Sequence, residues 1–457
     1  MSAPLRLLAA GAAAPQSAVF ATASAKLTAK EVFGRCHLGG DPALIGNRSV
    51  VVATRSQASA ALALLSLDGV ARRLVLVPPG LGTAALEQVM ARAEAEVVVC
   101  ERESWQPLFS SWPCLTVDPQ GCAEAAAPQG GLATEWVLLT SGTTGVPKLV
   151  VHRLATLTGA MASRAASPPA IWGTFYDIRR YGGLQAFLRA ILGGGPLVLP
   201  DPEETPEEFL TRASELGLDY LSGTPSHWRR ALMGRALAGL RPRCVRLSGE
   251  IADQVLLDRV RERFDKARIV HAFASTEAGV AFEVTDGHEG FPANVLENTG
   301  TPVELKVKDG TLRIRSPRTA LRILGTDEPV ADPDGFVDTR DIVERRGARC
   351  YFAGRRDGII NSGGNKVHPE EIEALLNGHP RVEMSRARAR KNPILGAIIE
   401  ADVVLRSADG APPQSPLEEE LLRFCAATLP VYKRPTKIRV VPSLSVSAAG
   451  KLERQGA

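Results

Sequence analysis

Short apolar runs alternate with amphipathic segments along the first two thirds of the chain. The runs SVVVAT, RLVLVPP and EVVVC, between residues 49 and 100, are typical of short buried strands. The segments SQASAALALLSL and GTAALEQVMARAEA lie between these runs and have the length and periodicity of helices. The alternation continues through PLVLP, TPEEFLTRASELG and ADQVLLDRVRERF, in residues 196–264. Such alternation predicts an α/β fold with mostly parallel sheets covered by helices.

The pattern changes near residue 300. The segment TPVELKVKDGTLRIRSP alternates apolar and polar residues around a KDG turn, which predicts a β-hairpin. The last hundred or so residues contain two helical and two strand-like segments: HPEEIEALLNG, GAIIEADVVL, LEEELLRFCAATL and TKIRVVPSL. We therefore predict a large N-terminal domain over residues 1–354, of α/β sheet layers plus a β-rich subdomain. A small mobile α+β C-terminal domain is predicted over residues 355–457.

Composition narrows the class of protein. The 457 residues include 54 Lys and Arg against 50 Asp and Glu, a net charge of +4 that does not favour a nucleic-acid-binding protein. The seven cysteines are odd in number and form no CxxC pair, so we predict neither a disulfide framework nor a zinc site. No apolar run is long enough to span a membrane, and the start of the chain is a poor signal peptide. We expect a cytoplasmic protein.

One short segment concentrates anion-binding groups. TSGTTGVPK follows the apolar run WVLL, and Gly142 and Gly145 permit a tight turn whose backbone N–H groups converge on a phosphate. Lys148 adds a point charge suited to polyphosphate. The hydroxyl donors of the segment are Thr140, Ser141, Thr143 and Thr144. The spacing is not that of a P-loop, which disfavours a P-loop NTPase. A solvated polar loop with a chance lysine is the structural alternative.

Five segments, in this order, resemble the signature segments of the adenylate-forming superfamily, in its acyl- and aryl-CoA synthetase branch. They are TSGTTGVPK (140–148), FASTEAG (273–279), FVDTRD (336–341), AGRRDGIINSGGNKVHPEEIE (353–373) and SAAGKLER (447–454). The resemblance extends from about Trp136 to Arg454, whereas the first 130 residues match only in their α/β texture. It implies an AMP-forming ligase that uses ATP, Mg²⁺ and CoA.

The resemblance also implies a role for each matching residue in nucleotide binding. Phe273 would stack on adenine, Thr276 would contact the α-phosphate, and Glu277 would coordinate Mg²⁺. The remaining nucleotide residues would be residues 140–145 and Lys148 at the phosphates, Gly249, Glu250 and His271 at the adenine, and Asp341 and Arg355 at the ribose. Taken alone, the STE triplet is equally a helix N-cap, and Arg355 with its neighbours is equally a surface charge cluster.

A second group of implied roles concerns catalysis and domain movement. Lys451 would be the catalytic lysine of the adenylation step, and Asp357 would be the hinge between the two domains. Contacts to CoA would come from Ser362, Gly363, Gly364 and Lys433. In two half-reactions, a carboxylate would displace pyrophosphate from ATP, and a thiol would then displace AMP.

The acid pocket is expected in TFYDIRRYGGLQAFLRAILGGGPLVL. Arg179 stands near the place of a histidine that is usual in CoA ligases, and it would pair with a second carboxylate of the substrate. Asp177 would instead meet an amine. The alternative is that Asp177 pairs with Arg179 or Arg180 and shapes the wall. The aromatic residues Trp172, Tyr176 and Tyr181 favour a small aryl or compact acyl acid over a long fatty chain.

The leading hypothesis is therefore an AMP-forming acyl- or aryl-CoA ligase with a small carboxylic acid as substrate. An adenylating enzyme that loads an acyl or amino acid onto a phosphopantetheinyl carrier protein is the nearest alternative. A catalytically inactive nucleotide-binding scaffold is disfavoured because Glu277, Asp341, Arg355 and Lys451 are all present. One departure from the family pattern is Arg340, which stands where a Gly is frequent.

Overall fold

A computed structural model describes residues 3–101, 109–121, 123–124, 131–140, 147–161, 169–297, 302–392, 396–406, 414–447 and 449–453. The α-helices in these ranges are α1 (Leu5–Ala10), α2 (Ala29–Gly34), α3 (Gln57–Leu67), α4 (Thr83–Arg92), α5 (Leu154–Thr158), α6 (Tyr181–Gly193), α7 (Pro206–Glu215), α8 (Pro225–Met233), α9 (Gln254–Arg263), α10 (Pro369–Asn377) and α11 (Gln414–Thr428). The strands up to residue 200 are β1 (Ala18–Ala21), β2 (Lys26–Thr28), β3 (Arg35–Cys36), β4 (Leu38–Gly39), β5 (Ser49–Val52), β6 (Arg73–Leu76), β7 (Val97–Cys100), β8 (Cys114–Val117), β9 (Ala123–Glu124), β10 (Glu135–Thr140), β11 (Lys148–His152), β12 (Trp172–Thr174) and β13 (Leu197–Val198). The later strands are β14 (Tyr220–Gly223), β15 (Cys244–Ser248), β16 (Arg268–Ser275), β17 (Gly279–Val284), β18 (Phe291–Pro292), β19 (Glu304–Lys308), β20 (Thr311–Arg315), β21 (Arg322–Leu324), β22 (Val337–Arg346), β23 (Arg349–Arg355), β24 (Ile360–Ser362), β25 (Asn365–Val367), β26 (Val382–Asn392), β27 (Gly396–Leu405) and β28 (Lys437–Val440).

Two mostly parallel sheets form the body of the large domain. The first has the strand order β17-β16-β15-β14-β12-β13-β1-β2, and the second has the order β21-β11-β10-β6-β5-β7-β8-β4. Within the first sheet, β12 to β16 run parallel and only the flanking pairs β16–β17 and β1–β2 are antiparallel. This arrangement confirms the predicted α/β fold.

Helices α3 and α6 pack between the two sheets. One apolar core joins Phe20 and Leu197 of the first sheet to Val50 and Leu74 of the second, and both helices contribute to it. Helix α3 is buried almost all round, which explains why QASAALALLSL is apolar on every face rather than amphipathic. Ser56 caps this helix by accepting hydrogen bonds from two backbone amides of its first turn.

The β-rich subdomain and the C-terminal domain also agree with the sequence pattern. Strands β19 and β20 form the predicted hairpin, whose turn residues Asp309 and Gly310 have φ angles of 53° and 76°. This hairpin belongs to a sheet of order β18-β23-β22-β20-β19. The C-terminal domain has the order β25-β24-β27-β26, with β28 beside β27, and packs α10 and α11 on this sheet. The predicted boundary, between residues 354 and 355, lies at the end of β23 and stays a prediction.

Among the helices of the described ranges, none combines the length and the apolar composition that a membrane span requires.

The start of α6 depends on a close backbone approach at Gly183. A Cβ added to Gly183 would overlap the carbonyl oxygen of Asp177 and lie 2.8 Å from the Cα of Ile178. Gly193, in the last turn of the same helix, has no atom within 4 Å of its added Cβ. The absence of a side chain at position 183 therefore lets α6 pack against the 177–178 segment.

We expect Gly183→Ala to lower the free energy of unfolding by about 1–3 kcal/mol, because the added methyl group overpacks a rigid backbone contact. Gly193→Ala is the matched control, and it should be neutral or stabilise the protein by up to about 1 kcal/mol. Thermal unfolding of both variants measures the difference. Equal midpoints for the two variants would contradict the steric argument.

Candidate active site

The C-terminal tail reaches the large domain through a turn at residues 447–451. The Gly450 amide donates to the Ser447 carbonyl at 2.8 Å, and the Ser447 amide donates to the Lys451 carbonyl at 2.8 Å. The turn places the Lys451 side chain against Gly249, where an added Cβ would lie 3.4 Å from the Lys451 Cε and 3.9 Å from its Nζ. The structure thus brings Lys451 together with Gly249, a predicted adenine-pocket residue that directly follows β15.

The N-terminus of α8 forms the seat for this turn. Thr224 caps α8 and its hydroxyl also donates to the Gly450 carbonyl. A Cβ on Gly450, whose φ is 72°, would overlap the His227 imidazole, so that only glycine fits at this position. The His227 ring stacks on Phe175 at 5.5 Å. Burial lowers the pKa of His227 to about 4, so this ring is neutral at neutral pH.

Glu250 holds the tail turn through hydrogen bonds of its side chain. Its carboxylate accepts hydrogen bonds from the Ser226 amide at 2.9 Å, the Ser226 hydroxyl at 3.0 Å and the Leu452 amide at 2.8 Å. One carboxylate therefore joins the first turn of α8 to the tail. The sequence suggested an adenine-pocket role for Gly249 and Glu250; that role stays a prediction, and the tail contact is a function that the sequence did not indicate.

Charged side chains of both signs lie near Lys451. Desolvation lowers the pKa of Lys451, although its side chain is open to water at the cleft, while the carboxylates of Glu250, Asp341 and Glu277 favour the charged amine. Burial raises the pKa of Asp341, and the guanidinium of Arg355 acts in the opposite direction. Asp341 and Arg355 face each other across β22 and β23. The site therefore holds one ammonium group among several acids and one guanidinium.

Thr276 and Glu277 follow β16 and are held by a histidine that the sequence did not reveal. His152, at the end of β11, is buried, and its Nε2 donates to the Thr276 carbonyl at 2.7 Å. Burial lowers the pKa of His152 to about 4, so the ring is neutral and its single proton lies on Nε2. His152 lies in none of the resembling segments, and no sequence signal connects it to Thr276.

The chemistry of Glu277 fits Mg²⁺. Within the described ranges its carboxylate makes no hydrogen bond or ion pair, and no group of three or more His, Cys, Asp or Glu residues there could hold a metal ion. A single unpaired carboxylate matches the way in which Mg²⁺ binds, with few protein ligands and the remaining positions taken by phosphate oxygens and water.

The predicted phosphate loop joins β10 to β11. Thr140 and Lys148 are paired residues at the mouth of this hairpin. Ser141, Gly142, Thr143, Thr144 and Gly145 lie outside the described residues. The predicted phosphate contacts of this loop stay predictions.

His271 and Phe273 are alternate residues of β16, so their side chains lie on the same face of the strand. The Phe273 ring is nearly parallel to those of Phe282 and Phe352, at centroid distances of 5.7 and 5.0 Å. His271 Nε2 hydrogen-bonds to the His288 carbonyl at 3.0 Å. Phe273 thus belongs to an aromatic stack that links β16 to the β-rich subdomain, and its predicted contact with adenine stays a prediction.

The predicted hinge residue Asp357 and the predicted CoA residues make contacts with nearby residues of the same part of the chain. The carboxylate of Asp357 accepts two hydrogen bonds of 3.3 Å from Arg355, and Lys433 Nζ pairs with Glu371 at 2.7 Å. Gly363 and Gly364 have φ angles of 56° and 82° and form the tight turn between β24 and β25 that begins at Ser362.

A buried ionic network joins the two domains beside the tail. On the large domain, Arg229 of α8 pairs with Asp253 and Arg259 of α9 reaches Glu383 of β26. Asn377 of α10 donates to Asp253 at 3.4 Å, and Arg229 also donates to the Glu383 carbonyl at 3.3 Å. These contacts hold the C-terminal domain in the orientation that inserts Lys451.

A cavity of about 130 Å³ lies between α6 and the face of β14, β15 and β16. Its wall includes the three aromatic residues that the sequence singled out, Trp172, Tyr176 and Tyr181. Ser248 lies at the end of the cavity nearest Lys451, because Gly249 follows it directly. The sequence did not single out the charged wall residues Arg189, Arg246, Arg268 and Glu283.

The other two predicted pocket residues, Asp177 and Arg179, do not line this cavity. They pair with each other, as in the alternative interpretation of the sequence. Arg179 is only 1% exposed, and its guanidinium is bidentate to Asp177 at 2.7 and 2.6 Å. The same guanidinium also donates to the carbonyl of Thr54. A buried guanidinium with a bidentate carboxylate has its charge already compensated, so the pair shapes the wall and leaves no group for a ligand.

Comparisons with known proteins agree with this architecture. A family profile described as AMP-binding enzyme matches residues 7–320, and one described as AMP-binding enzyme C-terminal domain matches residues 371–451. The chain is 29% identical to a p-hydroxybenzoic acid--AMP ligase, FadD22, of Mycobacterium tuberculosis, over 72% of this chain but only about half (49%) of that relative. It is 26% identical to a 2-succinylbenzoate--CoA ligase of Bacillus licheniformis, over 84% of this chain and 83% of that one. A crystal structure of a benzoate CoA ligase from Burkholderia xenovorans LB400 shares the fold, with a TM-score of 0.81, 19% identity and 99% coverage of both chains.

Gly450→Ala should release the tail from its seat, because the methyl group would overlap the His227 ring and the positive φ disfavours alanine. We expect the Leu452 amide to lose its protection, with an increase of at least about tenfold in hydrogen exchange of the tail. Hydrogen exchange followed by mass spectrometry measures this change. Gly46→Ala is the control, because Gly46 has open space around it. Unchanged tail exchange in Gly450→Ala would refute the proposed seat.

Proposed function

Since the chain belongs to the family of AMP-binding enzymes, we propose that it is an ATP-dependent acyl- or aryl-CoA ligase. It activates a small carboxylic acid as acyl-AMP, releases pyrophosphate and then transfers the acyl group to CoA. The observation that carries this proposal is the position of Lys451 beside Gly249, next to one end of an aromatic-lined cavity. Glu250 holds the adjoining Leu452 amide, and the charges of Asp341, Glu277 and Arg355 act on the lysine.

In the first half-reaction, a carboxylate oxygen of the acid attacks the α-phosphorus of ATP and the bond to the pyrophosphate oxygen breaks. Two anions approach each other, so positive charge has to be positioned before the reaction begins. Lys451 supplies an ammonium group at the cavity mouth, and the backbone amides of 140–145 with Lys148 hold the departing phosphates. Glu277 would hold Mg²⁺, which would neutralise phosphate charge when bound. Asp341 and Arg355 hold the ribose, and Thr276 contacts the α-phosphate.

In the second half-reaction, the CoA sulfur attacks the acyl carbonyl and AMP leaves. The tail holds Lys451 beside Gly249 in the described orientation, where it would block the approach of a thiol to the acyl-AMP. We therefore propose that the C-terminal domain rotates about Asp357 before the thiol enters. Rotation breaks the Arg355–Asp357 contact and brings the turn at Ser362, Gly363 and Gly364, together with Lys433, toward CoA. ATP and CoA are cytoplasmic metabolites, so we propose a cytoplasmic enzyme.

A phosphopantetheinyl carrier protein is the second candidate acceptor. One relative is named as an acid--AMP ligase rather than as a CoA ligase, which favours considering a different thiol for this chain as well. Supplying CoA or a phosphopantetheinylated carrier protein to the enzyme, after it has formed acyl-AMP, distinguishes the two. The acceptor that converts acyl-AMP to thioester at the greater rate is the physiological class.

Lys451→Ala should lower acid-dependent pyrophosphate release by about 100- to 1,000-fold, the usual effect of removing one positioned electrostatic group. Release is measured with a panel of small aryl and acyl acids. Thioester formation from synthetic acyl-AMP and CoA should change little, because Lys451 is not required there. Lys433→Ala is the matched control in the same domain and should show the reverse pattern. Undiminished pyrophosphate release in Lys451→Ala would refute its assignment.

The pH dependence of pyrophosphate release tests the charge of Lys451. Desolvation lowers its pKa below the ordinary value of about 10.4. The ammonium form is the active one, so release should decline on the alkaline side at a lower pH than an ordinary lysine would dictate. Lys451→Arg keeps its proton throughout, and its residual activity should lack this decline. Identical alkaline profiles for the two proteins would show that another group titrates.

A further inference from the structure

The cavity beneath α6 carries more positive than negative charge. Among the described residues of its wall, three guanidinium groups, of Arg189, Arg246 and Arg268, accompany one carboxylate, that of Glu283. Arg246 pairs with Glu283 at 2.6 Å, and Arg268, whose side chain is 64% exposed, lies 3.7 Å from the same carboxylate. The carboxylate of Glu283 is therefore already shared by Arg246 and Arg268 and does not fully compensate the charge of Arg189 as well.

Arg189 has no partner of its own in the part of the chain that the structure describes. Its side chain forms no ion pair within 4.0 Å of a carboxylate and no hydrogen bond there, although the residue is half-buried. Burial, followed by the nearby Arg246, lowers the pKa of Arg189, and Glu283 acts in the opposite direction. A cation that is partly desolvated and unpaired is normally compensated by something else, and the cavity offers the space for it.

Two buried polar atoms in the same wall point to the same conclusion. Gln185 Oε1 and Ser222 Oγ are buried and have no hydrogen-bond partner among the described residues, while the Gln185 amide nitrogen donates to the Leu157 carbonyl. Gln185 precedes Arg189 by one turn on the same face of α6, and both residues line the cavity. Unsatisfied buried polar atoms are rare in folded proteins, so this stretch of wall is built to meet polar ligand atoms.

Topology places this polar region away from Lys451. Helix α6 returns from the end of β12 to the start of the parallel strand β13, so it runs antiparallel to the strands below it. Tyr181 therefore lies near the strand ends, where Ser248 and Lys451 meet, and Arg189 lies about 12 Å further along the helix. The row at the strand starts contains Trp172, Tyr220, Cys244 and Arg268 in register. The cavity thus has a reacting end and a cationic end, with aromatic side chains between them.

We propose that the acid substrate carries a second anionic group, such as a second carboxylate, and that Arg189 binds it at the end of the cavity opposite Lys451. This inference rests on the proposed function. It transfers to Arg189 the role that the sequence suggested for Arg179, whose guanidinium is fully engaged with Asp177. The stacked rings of Trp172 and Tyr220, 4.3 Å apart, favour a compact aryl frame between the two anionic groups.

The test compares matched acids in which only the charge of the distal group differs. The probes are the three benzenedicarboxylates and succinate, each against its monoamide, with pyrophosphate release as the readout. At least one diacid should exceed its monoamide by about 10- to 100-fold in kcat/KM, as a charge-assisted contact to Arg189 requires. Arg189→Gln should reduce this diacid-to-monoamide ratio to about 1 while leaving the KM for ATP unchanged. Arg189→Lys should retain part of the preference for the diacid.

Arg423→Gln, at an exposed arginine of α11, is the control and should keep the wild-type ratio. If the monoamides and diacids react equally in the wild-type protein, or if Arg189→Gln leaves the ratio unchanged, the anionic subsite is refuted and the ligase assignment stands. If no acid in this set or in a broad monoacid panel yields pyrophosphate, the proposed function itself fails. Should Arg189→Gln not fold, the diacid-to-amide ratio in the wild-type and Arg189→Lys proteins still decides the question.

Discussion

The contact between the tail turn and the first turn of α8 is the constraint on which the candidate active site depends. Gly450 fits against the His227 ring only because it lacks a side chain, and Glu250 holds the next peptide from the other side. These contacts determine where Lys451 points, since the residue itself makes no side-chain hydrogen bond in the described structure. The position of one ammonium group thus results from backbone geometry at a domain interface rather than from partners of the lysine.

The rest of the site follows from the parallel sheet. The carboxyl ends of β14, β15 and β16 meet along one edge, and the residues that follow them supply Thr224, Gly249 and Thr276. The returning helix α6 covers the same strands and encloses the cavity between its own face and theirs. A single layer of parallel strands therefore positions both the predicted nucleotide-binding residues at its edge and the cavity on its face.

The fold was largely predictable because its signals are local. Apolar runs, capping residues and the KDG turn each act within a few residues, and the α/β core, the hairpin and the C-terminal α+β unit formed as predicted. Whether a side chain faces a cavity or packs against a neighbouring residue depends instead on the direction that the tertiary structure gives it. Arg179 and Arg189 are both arginines of one segment, yet the turn before α6 directs the first into the wall, and helical periodicity directs the second into the cavity.

Residues that act through distant chain segments were missed for a related reason. His152 and Thr276 are 124 positions apart, and the Leu452 amide and Glu250 are 202 apart, so no motif spans either pair. The sequence identified Glu250 only as a residue of the predicted adenine pocket and did not identify His152 at all. Family segments locate the neighbourhood of a site, whereas the contacts that hold its side chains in place require the folded chain.

The ionic network between the domains has a consequence for how any rotation of the C-terminal domain proceeds. Arg229 and Glu383 are both almost fully buried, and their partners Asp253 and Arg259 are shielded by the same interface. A small separation would remove each charge from its partner before water had room to enter, which is the least favourable arrangement for buried ions. Intermediate tilts are therefore disfavoured relative to a fully docked or a fully hydrated interface, and the domain should move in a discrete step rather than by gradual opening.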